Sequence, residues 1–184
     1  MSFLSVLADG LCGWIVWSLS HNLGHRWWHV EMLHGKETPY AHGEREHHRV
    51  YDSHGARAWQ MAEDPQEKFI SFPLIVIAII GILFVAGFGW LRGWSHCAPF
   101  AIGLYGCMVL DHQLHILFHK SAPLSGPLGL LQRMHMIHHQ THSRNYFFVT
   151  GVLWDVLFRT AQTTLEPAPK LVPVDAPKTK EVAA

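Results

Sequence analysis

Apolar residues fall into long runs along this chain, and the polar stretches between the runs are dominated by histidine. Phe69 to Leu91, FISFPLIVIAIIGILFVAGFGWL, is 23 residues without a charge. A helix that crosses a bilayer needs about 20 such residues, so this run predicts a membrane span. Cys97 to Phe118 is a second run, apolar as far as Leu110 and then carrying Asp111, His112 and His115. Phe3 to Leu19 is a third, broken only by Asp9. It has no basic leading region and no small-residue cleavage site, so it reads as a helix rather than a cleaved signal peptide. Tyr146 to Phe158 is too short to span, and is expected at the interface or dipping into the bilayer.

Breakers and caps divide the rest. The first helix is expected from about Phe3 through His29, with a break at Gly35, Lys36 and Pro39. Residues 43–62 read as a helical segment with a polar face, followed by a turn at Asp64-Pro65. Gly89-Trp90 and Gly93-Trp94 flank a tight hairpin between the two long runs, with tryptophans at the membrane interface. Pro123, Gly126, Pro127 and Gly129 predict a loop, and a helix is expected from about Leu130 to Ser143. Residues 1–164 form one membrane-embedded domain in this reading. Residues 165–184, with Pro167, Pro169, Pro173 and Pro177, read as a disordered tail. The predicted class is all-α: an integral-membrane bundle of about three to four membrane helices.

Charge changes the picture by giving an orientation. Of 14 Lys and Arg, only Arg92 lies in the short turn between the two long runs. The others sit on the side that carries the histidine clusters, which the positive-inside rule makes cytoplasmic. The amino terminus is then outside. Formal net charge is zero, which leaves no electrostatic footprint for nucleic acid. Cys12, Cys97 and Cys107 all lie in apolar stretches and read as small buried hydrophobes.

The 16 histidines carry the chemistry. Most fall in four clusters: His21, His25 and His29; His47 and His48; His112, His115 and His119; His135, His138, His139 and His142. At about 100° per residue, the third cluster falls within an arc of about 60° and the fourth within about 100°. Each is therefore one face of a helix. Imidazole is the commonest metal ligand, and this supply exceeds the three or four ligands that one zinc needs, which points to two metals. The order H-x-x-x-H then x-x-H-H occurs twice, over 25–48 and 115–139, as in two halves of one site. Asp52, Asp111, Asn145 and Asp155 are candidates to orient the ligands. His42 and Glu44 both stand beside the second cluster. Packing or hydrogen bonding accounts for His34 and His54. No nucleotide, flavin, haem or ferredoxin motif is present, so any electrons must come from a separate protein. No H-E-x-x-H zinc-protease motif occurs either.

HRWWH at 25–29, EREHH at 44–48, HILFH at 115–119 and HMIHH at 135–139 resemble the histidine boxes of the fatty acid hydroxylase/sterol desaturase superfamily, integral-membrane di-iron proteins. NYFFVTGVLWDVLFRT at 145–160 resembles the ending of that family, so the likeness covers about residues 15–160. It implies that His25, His29, His47, His48, His115, His119, His135, His138 and His139 are metal ligands and form the catalytic set. Glu44 stands where the family has a histidine. A carboxylate also ligates iron, so either Glu44 or His42 completes the set. Phe147 and Arg159 replace family glycines and put the local turns in question. His112 and His142 share faces with ligands and could assist.

The resemblance implies two iron ions, with zinc able to substitute, and O2 as co-substrate. It implies hydroxylation of an unactivated C–H bond of a lipid, with electrons from a ferredoxin- or cytochrome-type donor. The lipid would enter from the bilayer, past Trp14, Trp17, Phe118 and Phe148. Desaturation, carotenoid ring hydroxylation, and a non-enzyme role in metal transport or storage are the alternatives.

Overall fold

Polar residues face inward and apolar residues outward on the first helix, the reverse of a water-soluble bundle. Helix α1 is Phe3–Leu33, and its buried residues are Asp9, Gly13, Ser18, Asn22, His25 and His29. Phe3, Leu4, Leu7, Leu11, Ile15, Leu23, Trp27 and Val30 are exposed. Such a surface suits an apolar solvent, in which polar groups collect on the inner face. The computed structural model describes residues 1–36, 38, 41–45, 47–48, 71–141, 144–146 and 149–164; for 71–77 and Val149 it describes the backbone. Among the described residues every regular element is helical.

Ser2 caps α1 by accepting a hydrogen bond from the Ser5 amide at 3.2 Å. The helix stops where Gly35 takes a φ of 67°, a left-handed conformation that glycine adopts without strain. Residues 41–45 and 47–48 are helical, and they present the second histidine cluster. The rest of the helix expected over 43–62, the turn at Asp64-Pro65 and the tail at 165–184 lie outside the described residues. Helix α2 is Ser71–Arg92. Gly93, at φ 100°, and a single 3-10 turn, Trp94–His96, then lead into α3, Cys97–Lys120. The hairpin predicted there is present.

Helix α4 is Gly126–Thr141, so it begins four residues before the expected start at Leu130. Pro127 falls in its first turn, where the missing N–H has no intrahelical partner to lose. Gly126 makes the entry at φ 63°, and a Cβ at Gly129 would overlap the Leu124 carbonyl. These residues open a helix rather than fill a loop. The stretch from 146 to 158 holds a 3-10 turn, Val149–Gly151, and a short helix α5, Val152–Leu157. It is no span, as its length predicted.

Two stretches, Phe3–Leu33 and Trp94–Lys120, are long and apolar enough to cross a membrane, and α2 supplies a shorter apolar helix over Ala78–Arg92. Helices α1 and α3 pack together most extensively. Glycine makes that approach possible: a Cβ at Gly13 would run into the Phe100 carbonyl, and one at Gly103 into the Gly10 carbonyl. Small residues at such crossings let backbones meet closely where lipid removes any hydrophobic drive. At 1.5 Å per residue α1 is about 46 Å long, more than the ~30 Å of a bilayer core. Its last turns, with His25 and His29, therefore lie past the length a span requires.

Candidate metal centre

Among the described residues, members of all four clusters converge at one end of the helices. Helix α1 brings His25 and His29, the 41–48 segment brings Glu44, His47 and His48, α3 brings His115 and His119, and α4 brings His135, His138 and His139. All nine histidines are buried, with at most 5% of any one exposed. Eight of them form two groups. His47, His115, His119, His135 and His139 offer ligand atoms within 4.8 Å of one another, and so do His25, His29 and His138. The His48 ring lies between the groups, its centroid 4.5 Å from that of His139 and 4.8 Å from that of His29. The Glu44 Oε1 lies 2.7 Å from His25 Nε2 and 4.0 Å from His29 Nε2. His42, the other candidate beside the second cluster, is exposed.

The nitrogen positions suit a metal better than they suit each other. His115 and His119 bring their Nε2 atoms to 2.9 Å, His119 and His135 to 2.9 Å, and His135 and His139 to 3.2 Å. A neutral imidazole Nε2 holds either one proton or one lone pair, so at most two of these three contacts are hydrogen bonds. Ligands at metal–nitrogen distances of 2.0–2.1 Å stand about 2.9 Å apart at octahedral and about 3.4 Å apart at tetrahedral positions. The observed separations fall in that range.

The second group shows the same fit. His138 Nδ1 donates to the Arg144 carbonyl at 2.8 Å, and its Nε2 is buried with no hydrogen-bond partner. A carbonyl only accepts, so Nδ1 carries the proton and Nε2 keeps its lone pair. His25 Nδ1 likewise donates to the Tyr146 carbonyl at 3.1 Å, which aims Nε2 at Glu44. A carboxylate facing that nitrogen is satisfied by a proton or a metal cation between them. The donor geometry of the two groups fits metal binding at each.

Electrostatics agrees outside the long helices. Burial pushes His47, His135 and His138 well below their ordinary value of 6.5, and the neighbouring imidazoles push them further. Neutral imidazole is the metal-binding form. Burial alone would raise Glu44, but the His25 imidazole, and then His29 and His48, hold it well below the usual carboxylate range.

A second layer fixes the ring orientations. Asp155 accepts from the Tyr146 amide at 3.1 Å and from the Thr160 hydroxyl, and Asn22 Nδ2 approaches it at 3.4 Å. Asn145, at φ 51°, donates to the carbonyls of Met134 and Gln162 at 2.9 and 2.8 Å. These bonds hold the 144–146 backbone whose two carbonyls receive His138 and His25. Asn145 and Asp155 thus occupy the orienting position expected of them. Asp111 acts elsewhere: it accepts from Trp17 Nε1 at 3.0 Å and from the Thr150 amide and hydroxyl, each at 2.9 Å. Trp17 is therefore engaged in a helix contact. Phe118 is buried with its ring 6.1 Å from that of His135. Asp52, His54, His142, Phe147 and Phe148 lie outside the described residues, and His34 is exposed.

Four contributors were not singled out in the sequence. Asn22 lies three residues before His25 on the same helix face, a spacing that could have marked it. Gln132 accepts from the Leu124 amide at 2.8 Å and donates to the Phe118 carbonyl at 3.1 Å, which ties the end of α3 to α4. The carbonyls of Arg144 and Tyr146 carry no side-chain signal at all. No family model, curated protein or solved structure matches this chain.

Proposed function

We propose that this chain is an integral-membrane di-iron oxygenase that hydroxylates an unactivated C–H bond of a lipid. The observation that carries the reading is the convergence of eight buried histidines into two adjacent donor groups, with His48 between them and Glu44 beside the smaller, next to two helices apolar enough to span a bilayer. His25, His29, Glu44, His47, His48, His115, His119, His135, His138 and His139 are the proposed ligands. The likeness to the histidine boxes of the fatty acid hydroxylase/sterol desaturase superfamily supports iron over zinc.

The reaction consumes C–H, O2, two electrons and two protons, and yields C–OH and water. The electrons come from an external ferredoxin- or cytochrome-type protein. Bound iron would supply O2 activation and hydrogen-atom abstraction. The chain's own part is to hold ten donors, fix two imidazole tautomers through the 144–146 backbone, and keep bulk water from a buried centre. The site is proposed to face the cytoplasm, and the lipid to reach it from the bilayer.

Metal transport or storage would string ligands along the membrane-crossing helices. Here the donors gather at one end, which favours a closed reaction centre. The test joins two measurements on detergent-purified protein and on cells. Elemental analysis should find about two iron ions per chain, one for each donor group. Lipid profiles of cells with and without the protein should differ by a hydroxylated species, absent in His138→Ala and His139→Ala. Metal at trace level would overturn the metal centre. Two irons with unchanged lipids would overturn the lipid oxygenase.

A further inference from the structure

Arg159 sits at φ 59°, a left-handed conformation that side chains rarely adopt and that glycine takes freely. Its side chain is exposed and makes no hydrogen bond or ion pair among the described residues. No contact within them accounts for an arginine here, so its use lies outside the chain.

Two more arginines share the place. Arg144 is exposed, and its Nη1 donates to the Arg159 carbonyl at 3.3 Å. Arg26 lies against two rings, its guanidinium carbon 5.0 Å from the Tyr146 centroid and 4.8 Å from that of Phe158. Among the described residues none of the three arginines is ion-paired with a carboxylate. From 121 to 164 the chain has a single acidic residue, Asp155, and it is fully buried.

The surroundings say what kind of anion fits. Leu153, Val156 and Leu157, just before Phe158, are 57–59% exposed, and Phe158 itself is 41% exposed. The Tyr146 ring, which Arg26 covers, lies 5.7 Å from the His29 ring and 5.9 Å from that of His138. One aromatic ring thus separates the Arg26 guanidinium from the donor group, and an exposed apolar surface adjoins the cluster. A guanidinium pairs with phosphate or carboxylate oxygens through a planar fork of N–H groups. A dissolved anion has no use for the apolar surface beside it, whereas the chain of a lipid does.

We propose that Arg26, Arg144 and Arg159 bind the oxyanion headgroup of a bilayer lipid, and that the substrate of the oxygenase is an acidic lipid held there. The substrate assignment rests on the oxygenase reading above; the headgroup binding does not. A headgroup on these arginines lies beside the donor histidines, so the bonds near it are the ones within reach of the centre.

Full-length protein in phosphatidylcholine nanodiscs, probed with spin-labelled phosphatidylglycerol or spin-labelled phosphatidylcholine, reads the binding without metal or turnover. The wild type should prefer phosphatidylglycerol. Arg159→Gly and Arg144→Gln should each lower that preference about fivefold, the effect of one arginine on an anionic lipid. Glycine suits φ 59°, so Arg159→Gly should not lower the melting temperature, and its loss of binding is not loss of fold. Inorganic phosphate should not compete; displacement of the lipid at millimolar phosphate would assign the cluster to a soluble anion. A preference unchanged in both variants would overturn the headgroup site. So would a wild type without preference whose arginines instead govern binding of a ferredoxin, which would make the surface a protein dock. In cells, a hydroxylated lipid that is neutral or zwitterionic, with the phosphatidylglycerol preference intact, would overturn the substrate assignment alone. No hydroxylated lipid at all would overturn the oxygenase and the substrate assignment with it, and leave the headgroup site standing.

Discussion

Asp155 shows how one side chain outside the donor set governs it. It is fully buried, accepts the Tyr146 amide and the Thr160 hydroxyl, and so places the carbonyl that orients His25. Asp155→Asn keeps the shape but removes one acceptor, and partners that orient ligands typically contribute 10- to 100-fold in metal affinity. Metal titration should show a loss on that order, with membrane insertion unchanged; unaltered affinity would reduce Asp155 to a loop staple. Acid should act on the metal-free protein through His47, His135 and His138. Their folded values lie well below 6.5, so between those values and 6.5 the unfolded chain binds more protons than the folded one. Stability is then full above about 6.5 and falls with decreasing pH below it. Thermal melts of metal-free protein from pH 8 to pH 5 check this, and a flat profile would contradict the burial of these rings. The donors were legible in the sequence because ligand spacing on a helix face is local. Glu44 against His42 was not, because the choice depends on how the 41–48 segment sits against α1. The Arg144 and Tyr146 carbonyls were invisible, since a backbone acceptor looks the same in every residue.

At the scale of elements, the crossing of α1 and α3 rests on absent side chains. Gly103 meets the Gly10 carbonyl and Gly13 meets the Phe100 carbonyl, whereas Gly106, also on α3, has nothing near it. Gly103→Leu should therefore force the helices apart, with overpacking costing ~1–3 kcal/mol or more. Gly106→Ala should be tolerated. Melting temperatures of the two variants in detergent discriminate: equal effects would mean that the crossing is not close at Gly103. The apolar runs foretold all three long helices, because length and hydropathy alone decide them. The start of α4 was misplaced because Pro and Gly mark both loops and first turns. What separates the cases is the positive φ of Gly126 and the tight seat of Gly129 on Leu124, which are tertiary facts. The other end of the bundle holds a contact that the sequence did not announce. His96 Nδ1 lies 2.6 Å from the buried Asp9 carboxylate, with Arg92 at 3.8 Å, so the one charge breaking the first apolar run is paired across the α2–α3 turn.

At the scale of the molecule, the histidine centre and the Asp9–His96 contact lie at opposite ends of α3. Ser95 precedes that helix and Ser125 follows it, and both are exposed. The 24 residues between Cys97 and Lys120 extend about 36 Å, enough to cross a bilayer core of ~30 Å. If α3 crosses, the two serines face different compartments. The excess of Lys and Arg lies with the histidine clusters, so that end should be cytoplasmic. In a background lacking Cys12, Cys97 and Cys107, a membrane-impermeant maleimide added to intact cells should label Ser95→Cys. Ser125→Cys should react only after the membrane is opened. Labelling of both from outside would show that α3 does not cross. The opposite pattern would keep the span and move the metal centre to the outer face, where a soluble cytoplasmic electron donor could not reach it. Orientation thus bears on the proposed function as well as on topology, because the proposed reaction, which consumes two external electrons, needs its donor on the side where His25, Glu44 and His138 lie.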